Sequence, residues 1–272
     1  MRRVSRPLLA AMLFGYAFLF IPVILLVLTS FNDQRMTTVF TGFSWRWYAT
    51  LWQNAPLLAA GRLSLKIAAV AATGATVLGT AAGYVLARFG RSRGRGALEA
   101  LLATRLVLPD VLIGLSLLLL FVGTQKAFGV PAERGAGTIA VAHVSFALSY
   151  VAVVVRARLE GSGTELEEAA MDLGASPAGA FLRVTLPLLA PALLAGWLLA
   201  FTLSLDDLVV ASFVSGPGAS TLPMVVFSSL KLGATPELNA LASVILLGVT
   251  VALVGAWAVG RVWSVAGEKR RA

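Results

Sequence analysis

The sequence predicts an all-α membrane protein that crosses a bilayer six times. Three observations carry this. At 58% hydrophobic and 13% charged residues, the chain is too apolar for an ordinary soluble domain. Six segments, near 8–29, 63–86, 104–123, 137–155, 191–213 and 239–262, meet or approach the roughly 20 apolar residues that a helix needs to span a hydrocarbon core. The charge of +9 then sorts by the positive-inside rule. With the N-terminus inside, 15 of the 22 Lys and Arg fall on the cytoplasmic side: Arg2, Arg3, Arg6, Arg88, Arg91, Arg93, Arg95, Arg105, Arg156, Arg158, Arg183, Arg261, Lys269, Arg270 and Arg271. A single domain, 1–272, with both termini cytoplasmic is expected.

The first run has the basic start of a signal peptide. It is longer than a typical signal core and no small-residue cleavage site follows, so it reads as a retained span. The outer segment 30–62 holds Trp45, Trp47, Tyr48 and Trp52. These fit an interfacial aromatic belt, an amphipathic piece on the membrane surface, or a docking surface for an extracytoplasmic partner. "RFGRSRGRG", after the second run, is a topology determinant in preference to a nucleic-acid site.

In the third run Asp110 follows Pro109, with Arg105 nearby. An acid at a helix start is stabilised by the dipole; a role at an inner gate is the alternative. The fourth run holds His143 and Ser145. A serine hydrolase is disfavoured, because no oriented carboxylate sits at useful spacing from His143. No catalytic residue is assigned. A metal site fails for lack of ligands, and without cysteine there is neither a disulfide framework nor thiolate chemistry.

The fifth run carries Asp206 and Asp207, roughly 22 Å from its cytoplasmic start at 1.5 Å per residue. A carboxylate at a membrane helix centre costs about 2.5–3.5 kcal/mol on insertion scales. Asp206 and Asp207 therefore read as an acidic filter for a cation or as a structural pair satisfied by backbone amides or an arginine of another subunit, or else Asp207 simply sits near the interface in water. Gly196, Ala200 and Ser204 recur every four residues, a small stripe suited to close helix packing, and Asp207 follows Ser204 by three. The outer segment 214–238 reads as a turn, a short amphipathic piece and another turn.

Between the fourth and fifth runs lies a polar cytoplasmic loop, 158–190. Thr164 and Glu167 have capping-box spacing. Leu166, Ala169, Ala170 and Leu173 then form one apolar face of a short helix, and Glu165, Glu168 and Asp172 another. Gly174 stands where a left-handed cap needs no Cβ, and Pro177 prevents simple continuation. So short a helix cannot fold alone. It leans on the membrane helices or fits a partner's groove.

This loop resembles the EAA loop of ABC-importer permeases: Glu-Ala-Ala, three residues, Gly, nine residues, Ile-x-Leu-Pro. Here the pattern is Glu168-Ala169-Ala170, Gly174 and Val184-Thr185-Leu186-Pro187, with Val184 the one departure. The resemblance implies a type I ABC-importer permease architecture and a coupling helix seated on a cytoplasmic ATPase. The coupling residues would be Glu168, Ala169, Ala170, Asp172, Gly174 and Pro187. No Walker A pattern occurs, so no ATP hydrolysis is expected of this chain, and no cofactor bound by it; ATP and Mg would sit on the partner ATPase.

The stretches "SFNDQRMTTVFTGFSWRWY", "LPDVLIGLSLLLLFV", "EEAAMDLGASP" and "GWLLAFTLSLDDLVVASFVSGPGASTLPMVVFSS" are similar to the polyamine branch of that family, most of all its putrescine permeases. That implies a bacterial inner-membrane protein importing putrescine by alternating access. Its partners would be a second, homologous permease, an ABC ATPase dimer, a periplasmic polyamine-binding protein and membrane lipid, with no nucleic acid. A linear diamine carries two charges, which carboxylates and aromatic faces suit. Asp206, Asp207, Ser204 and Asp110 are the substrate-path candidates. Another ABC substrate (spermidine, ferric iron, an amino acid) is the alternative. A secondary transporter is less favoured, because no inverted repeat is evident.

Overall fold

A computed structural model describes residues 5–34, 40–90, 94–231, 233 and 235–269, and in the last helix describes side chains to 251 and at 254. Among these residues the regular structure is helical, apart from an isolated antiparallel bridge between Asn32 and Phe43. Of the topology-setting arginines, Arg2, Arg3, Arg91, Arg93, Arg270 and Arg271 lie outside the described residues, as does part of the polyamine-like stretch around Arg35.

The chain divides into two compact units, Met1–Leu58 with Val226–Ala272, and Ala59–Val225. In the first, α1 (Arg6–Thr29) carries Pro7 in its first turn, where a missing N–H costs no helical hydrogen bond. None of its side chains is buried in this chain alone, as befits a span whose solvent is lipid. The outer segment then folds back. Phe31, Phe43, Trp45 and Tyr48 form an aromatic cluster in which Phe31 stacks on Phe43 and meets Trp45 edge-on, and Trp47 Nε1 donates to Asn32 O at 2.6 Å. α2 (Arg46–Gln53) buries Trp47 and Leu51 and leaves Trp45 and Trp52 exposed. Two apolar side chains of α2 thus turn into the protein.

The second unit is built on close helix crossings. α3 (Ala55–Arg88), α4 (Arg95–Val107), α5 (Asp110–Phe128) and α6 (Ala136–Glu160) precede the polar segment, which contains α7 (Glu165–Asp172). α8 (Pro177–Ala180), a π-helical turn (Phe181–Thr185) and α9 (Leu186–Asp206) follow, then α10 (Val209–Val214) and α11 (Leu222–Lys231). α12 (Pro236–Lys269) returns to the first unit. Gly79 and Gly83 let α3 lie against α6: a Cβ on either would stand 2.7 Å from the carbonyl oxygen of Leu148 or Ala152. Gly196 does the same for α9 against Val151. Phe146, Ala147, Val151, Val155, Leu189 and Ala200 fill this crossing. A second cluster, with Ile67, Phe121, Ile139 and Val210, joins α3, α5, α6 and α10.

Among the described residues five helices are long and apolar enough to cross a membrane, and the sixth expected span lies inside α12. Several boundaries move, among them three that bear on the site. The third span starts at Asp110, not 104, because Leu108 before Pro109 is extended and residues 104–107 belong to α4. The fifth helix does not start at 191: helical structure runs on from Pro177. Pro187 has no N–H for Arg183 O, and the ladder widens there into the π turn, where Leu186 N reaches Phe181 O. At its far end the helix stops at Asp206, short of the expected 213.

Candidate functional site

The break after Asp206 organises an acidic cavity. Asp207 is extended, at φ −67° and ψ 122°, and its carboxylate caps the next helix. Oδ1 accepts from Val210 N at 3.2 Å and Oδ2 from Ala211 N at 2.7 Å. These amides lack intrahelical partners, so a short acid is favoured there. Asp207 Oδ2 also lies 3.2 Å from His143 Nε2, while His143 Nδ1 lies 2.6 Å from Ser204 Oγ. A carboxylate only accepts, so Nε2 carries the proton, and in the neutral ring Nδ1 accepts from Ser204. His143 is 1% exposed and Ser204 5%.

Sequence reasoning gave His143 no oriented carboxylate; the structure gives it one, 64 residues away. The trio is still no hydrolase. Hydrolytic triads place the nucleophile on Nε2 and the acid on Nδ1. Here those are exchanged, and buried Ser204 leaves no approach for an acyl group. The missed signal was His143 itself, since a polar ring inside a membrane needs partners.

A cavity of about 310 Å³ opens beside the break, lined by Asp110, Asp206, Asp207, Arg105, Phe146 and Tyr150. Asp110 begins α5, as a helix-start acid should, and pairs with Arg105 at 3.1 Å. The Arg105 guanidinium also sits 4.8 Å from the centre of the Phe146 ring. Asp206 is exposed to this space and, among the described residues, takes part in no ion pair. Asp206, Asp207 and Asp110 thus come together here, with Ser204 behind Asp207. Their chemistry suits a cation with apolar stretches.

The residues expected to couple lie elsewhere: on α7, in the turn after it and, for Pro187, in the first turn of α9. Gly174 has φ +87°, with Gly174 N bonded to Met171 O and Ala175 N to Ala170 O. This is the Schellman closure of a helix end. Ser176 Oγ caps α8 through Gly179 N. The expected capping box is absent: Thr164 makes no side-chain cap, and Glu167 turns to Arg88, a charged partner that outcompetes a backbone amide. Glu168, Ala169, Asp172, Gly174 and Pro187 are exposed and Ala170 half-buried. Leu166 and Leu173, on the apolar face, stand 57% and 91% exposed.

Comparison with known proteins adds to this geometry. Residues 79–262 match the family model described as "Binding-protein-dependent transport system inner membrane component". The chain is 54% identical to the putrescine transport system permease protein PotI of Escherichia coli (strain K12), over 90% of this chain and 88% of that protein. It is 43% identical to the spermidine/putrescine transport system permease protein PotC of Haemophilus influenzae, over 90% of this chain and 92% of that protein. A solved bacterial ABC transporter involved in import of the acidic polysaccharide alginate shares the fold at a TM-score of 0.68 and 15% identity, covering 96% of this chain and 99% of that one. The chain belongs to the binding-protein-dependent transport system inner membrane components, the ABC-importer permeases that its EAA-like loop resembles.

Proposed function

We propose that this multi-pass inner-membrane permease moves polyamines, putrescine foremost, from periplasm to cytoplasm by alternating access. The observation that carries the reading is the acidic cavity beside the α9 break, where Asp206, among the described residues, takes part in no ion pair and Tyr150 lines the wall. Cations are held by carboxylates and ring faces at desolvated sites. The high identity to a putrescine permease supports the same substrate class. Spermidine is the second reading, favoured by the likeness to a spermidine/putrescine permease.

The whole chain acts as one permease domain, with both termini cytoplasmic. A second, homologous permease completes the translocation path. A cytoplasmic ATPase dimer, carrying ATP and Mg, docks on the exposed apolar face of α7 through Leu166, Ala169 and Leu173. Glu168 and Asp172 flank that contact, and Gly174 and Pro187 set its shape. A periplasmic polyamine-binding protein delivers substrate.

The test is uptake by the four-component complex in liposomes, with labelled putrescine, spermidine, ornithine and ferric iron, with and without ATP. ATP-dependent accumulation of putrescine is expected. Accumulation of ornithine or iron alone would discard the polyamine reading, and ATP-independent flux through this chain alone would discard the coupling.

A further inference from the structure

We propose that Arg88 is the positioning residue that ties the coupling helix to the membrane core, so that movement of α7 is carried into α3 and α6. The inference rests on the reading that an ATPase docks on α7. Arg88 is the last residue of α3, and its guanidinium is spent in three directions. Nε donates to both Glu167 carboxylate oxygens at 3.1 Å, and Nη2 to Oε1 at 3.0 Å. Nη1 donates to Leu159 O at 3.1 Å, at the end of α6, and Nη2 to Gly163 O in the turn before α7. One planar group thus holds the end of one span, the last turn of another, the turn between and the middle of α7.

Burial makes the contact matter. The Arg88 and Glu167 side chains are 10% and 13% exposed, unlike the pairs of Arg156 with Glu99 and Glu160, which are a third to a half exposed. A half-exposed pair contributes little. A buried fork-to-carboxylate pair fixes orientation as well as charge. The rest of α7 has little inward hold: Leu166 and Leu173 face outward, and the capping box that would have closed its N-terminus is not made. Glu167 is the α7 side chain that reaches the core through a charge, and Arg88 is what it reaches. Lysine cannot replace this, because an ammonium is a point charge without the fork that serves a carboxylate and two carbonyls at once.

The experiment uses the complete reconstituted complex with Glu167→Gln and Arg88→Lys, reading ATPase co-purification, ATP hydrolysis with and without loaded binding protein, and putrescine transported per ATP. Both variants are expected to retain the ATPase and to hydrolyse ATP, but to transport about five- to tenfold less per ATP, the scale of a typical coupling between sites. A role confined to holding the end of α6 would leave Glu167→Gln at the wild-type ratio, since Arg88 keeps both carbonyls in that variant, and that result would overturn the proposal. Loss of ATPase binding in Glu167→Gln would overturn it too, by making Glu167 a docking residue. If the wild-type complex itself shows no ATP-dependent uptake, the importer reading falls and the brace with it; a coupled wild type with an equally coupled Glu167→Gln sinks the brace alone.

Discussion

His143 Nε2 stands 3.2 Å from Asp207 Oδ2, and this contact ties α6 to the break between α9 and α10. Asp207 is thereby committed to three donors: His143, Val210 N and Ala211 N. His143→Ala removes a buried ring and strands Ser204 and part of Asp207. Each unsatisfied buried polar group costs about 1–3 kcal/mol. Expected is a clear loss of thermal stability of the purified complex, partly restored in His143→Gln, which keeps a donor. A His143→Ala melting temperature equal to wild type would show that the contact carries no stability.

With Asp207 committed to these donors, the proposed cation falls to Asp206. Removing a charge-assisted hydrogen bond weakens binding by about 1.5–3 kcal/mol, roughly 10- to 150-fold. Asp206→Asn should raise the half-saturating putrescine concentration by that order with the complex still assembled. Asp207→Asn should lower the melting temperature instead, by the typical loss of a helix cap, about 1 kcal/mol. Uptake kinetics and thermal denaturation on both variants check this; the opposite pattern would exchange the two roles.

The α3–α6 crossing yields a prediction with an internal control. A Cβ at Gly79 or Gly83 would lie 2.7 Å from a backbone carbonyl, and backbone cannot step aside as a side chain can. Overpacking of this kind costs about 1–3 kcal/mol. Gly123 on α5 has nothing within 4 Å of its Cβ position. Gly83→Ala is expected to destabilise the permease against detergent unfolding, and Gly123→Ala to leave it unchanged.

The spans were legible because length and hydropathy act residue by residue. So was Gly174, because a positive φ after a short periodic run is a local demand. What the sequence hid were contests settled at a distance. Thr164 and Glu167 carried a sound capping-box spacing, but Arg88, 79 residues from Glu167, offered a charged partner. Asp206 and Asp207 sat inside a continuous apolar run and read as one helix. The run breaks because Asp207 caps α10 while held by His143 from another span. The π turn had a readable cause in Pro187, since within a helix packed on its neighbours a proline only loosens one turn.

Gly174 separates backbone conformation from packing. A Cβ there would meet nothing within 4 Å, so a substitution meets resistance only from φ +87°. For most residues a left-handed conformation costs roughly 1–2 kcal/mol, whereas asparagine tolerates it. Gly174→Leu should open the Schellman closure, misdirect α7 and lower ATPase co-purification about tenfold, while the permease still inserts. Gly174→Asn should retain most of the ATPase, though asparagine also adds a side chain to the docking surface. Steric exclusion at the ATPase contact would make both variants fail; a conformational requirement spares asparagine. Co-purification of the ATPase with wild type, Gly174→Asn and Gly174→Leu distinguishes them, and full retention in Gly174→Leu would remove the left-handed cap from the coupling mechanism.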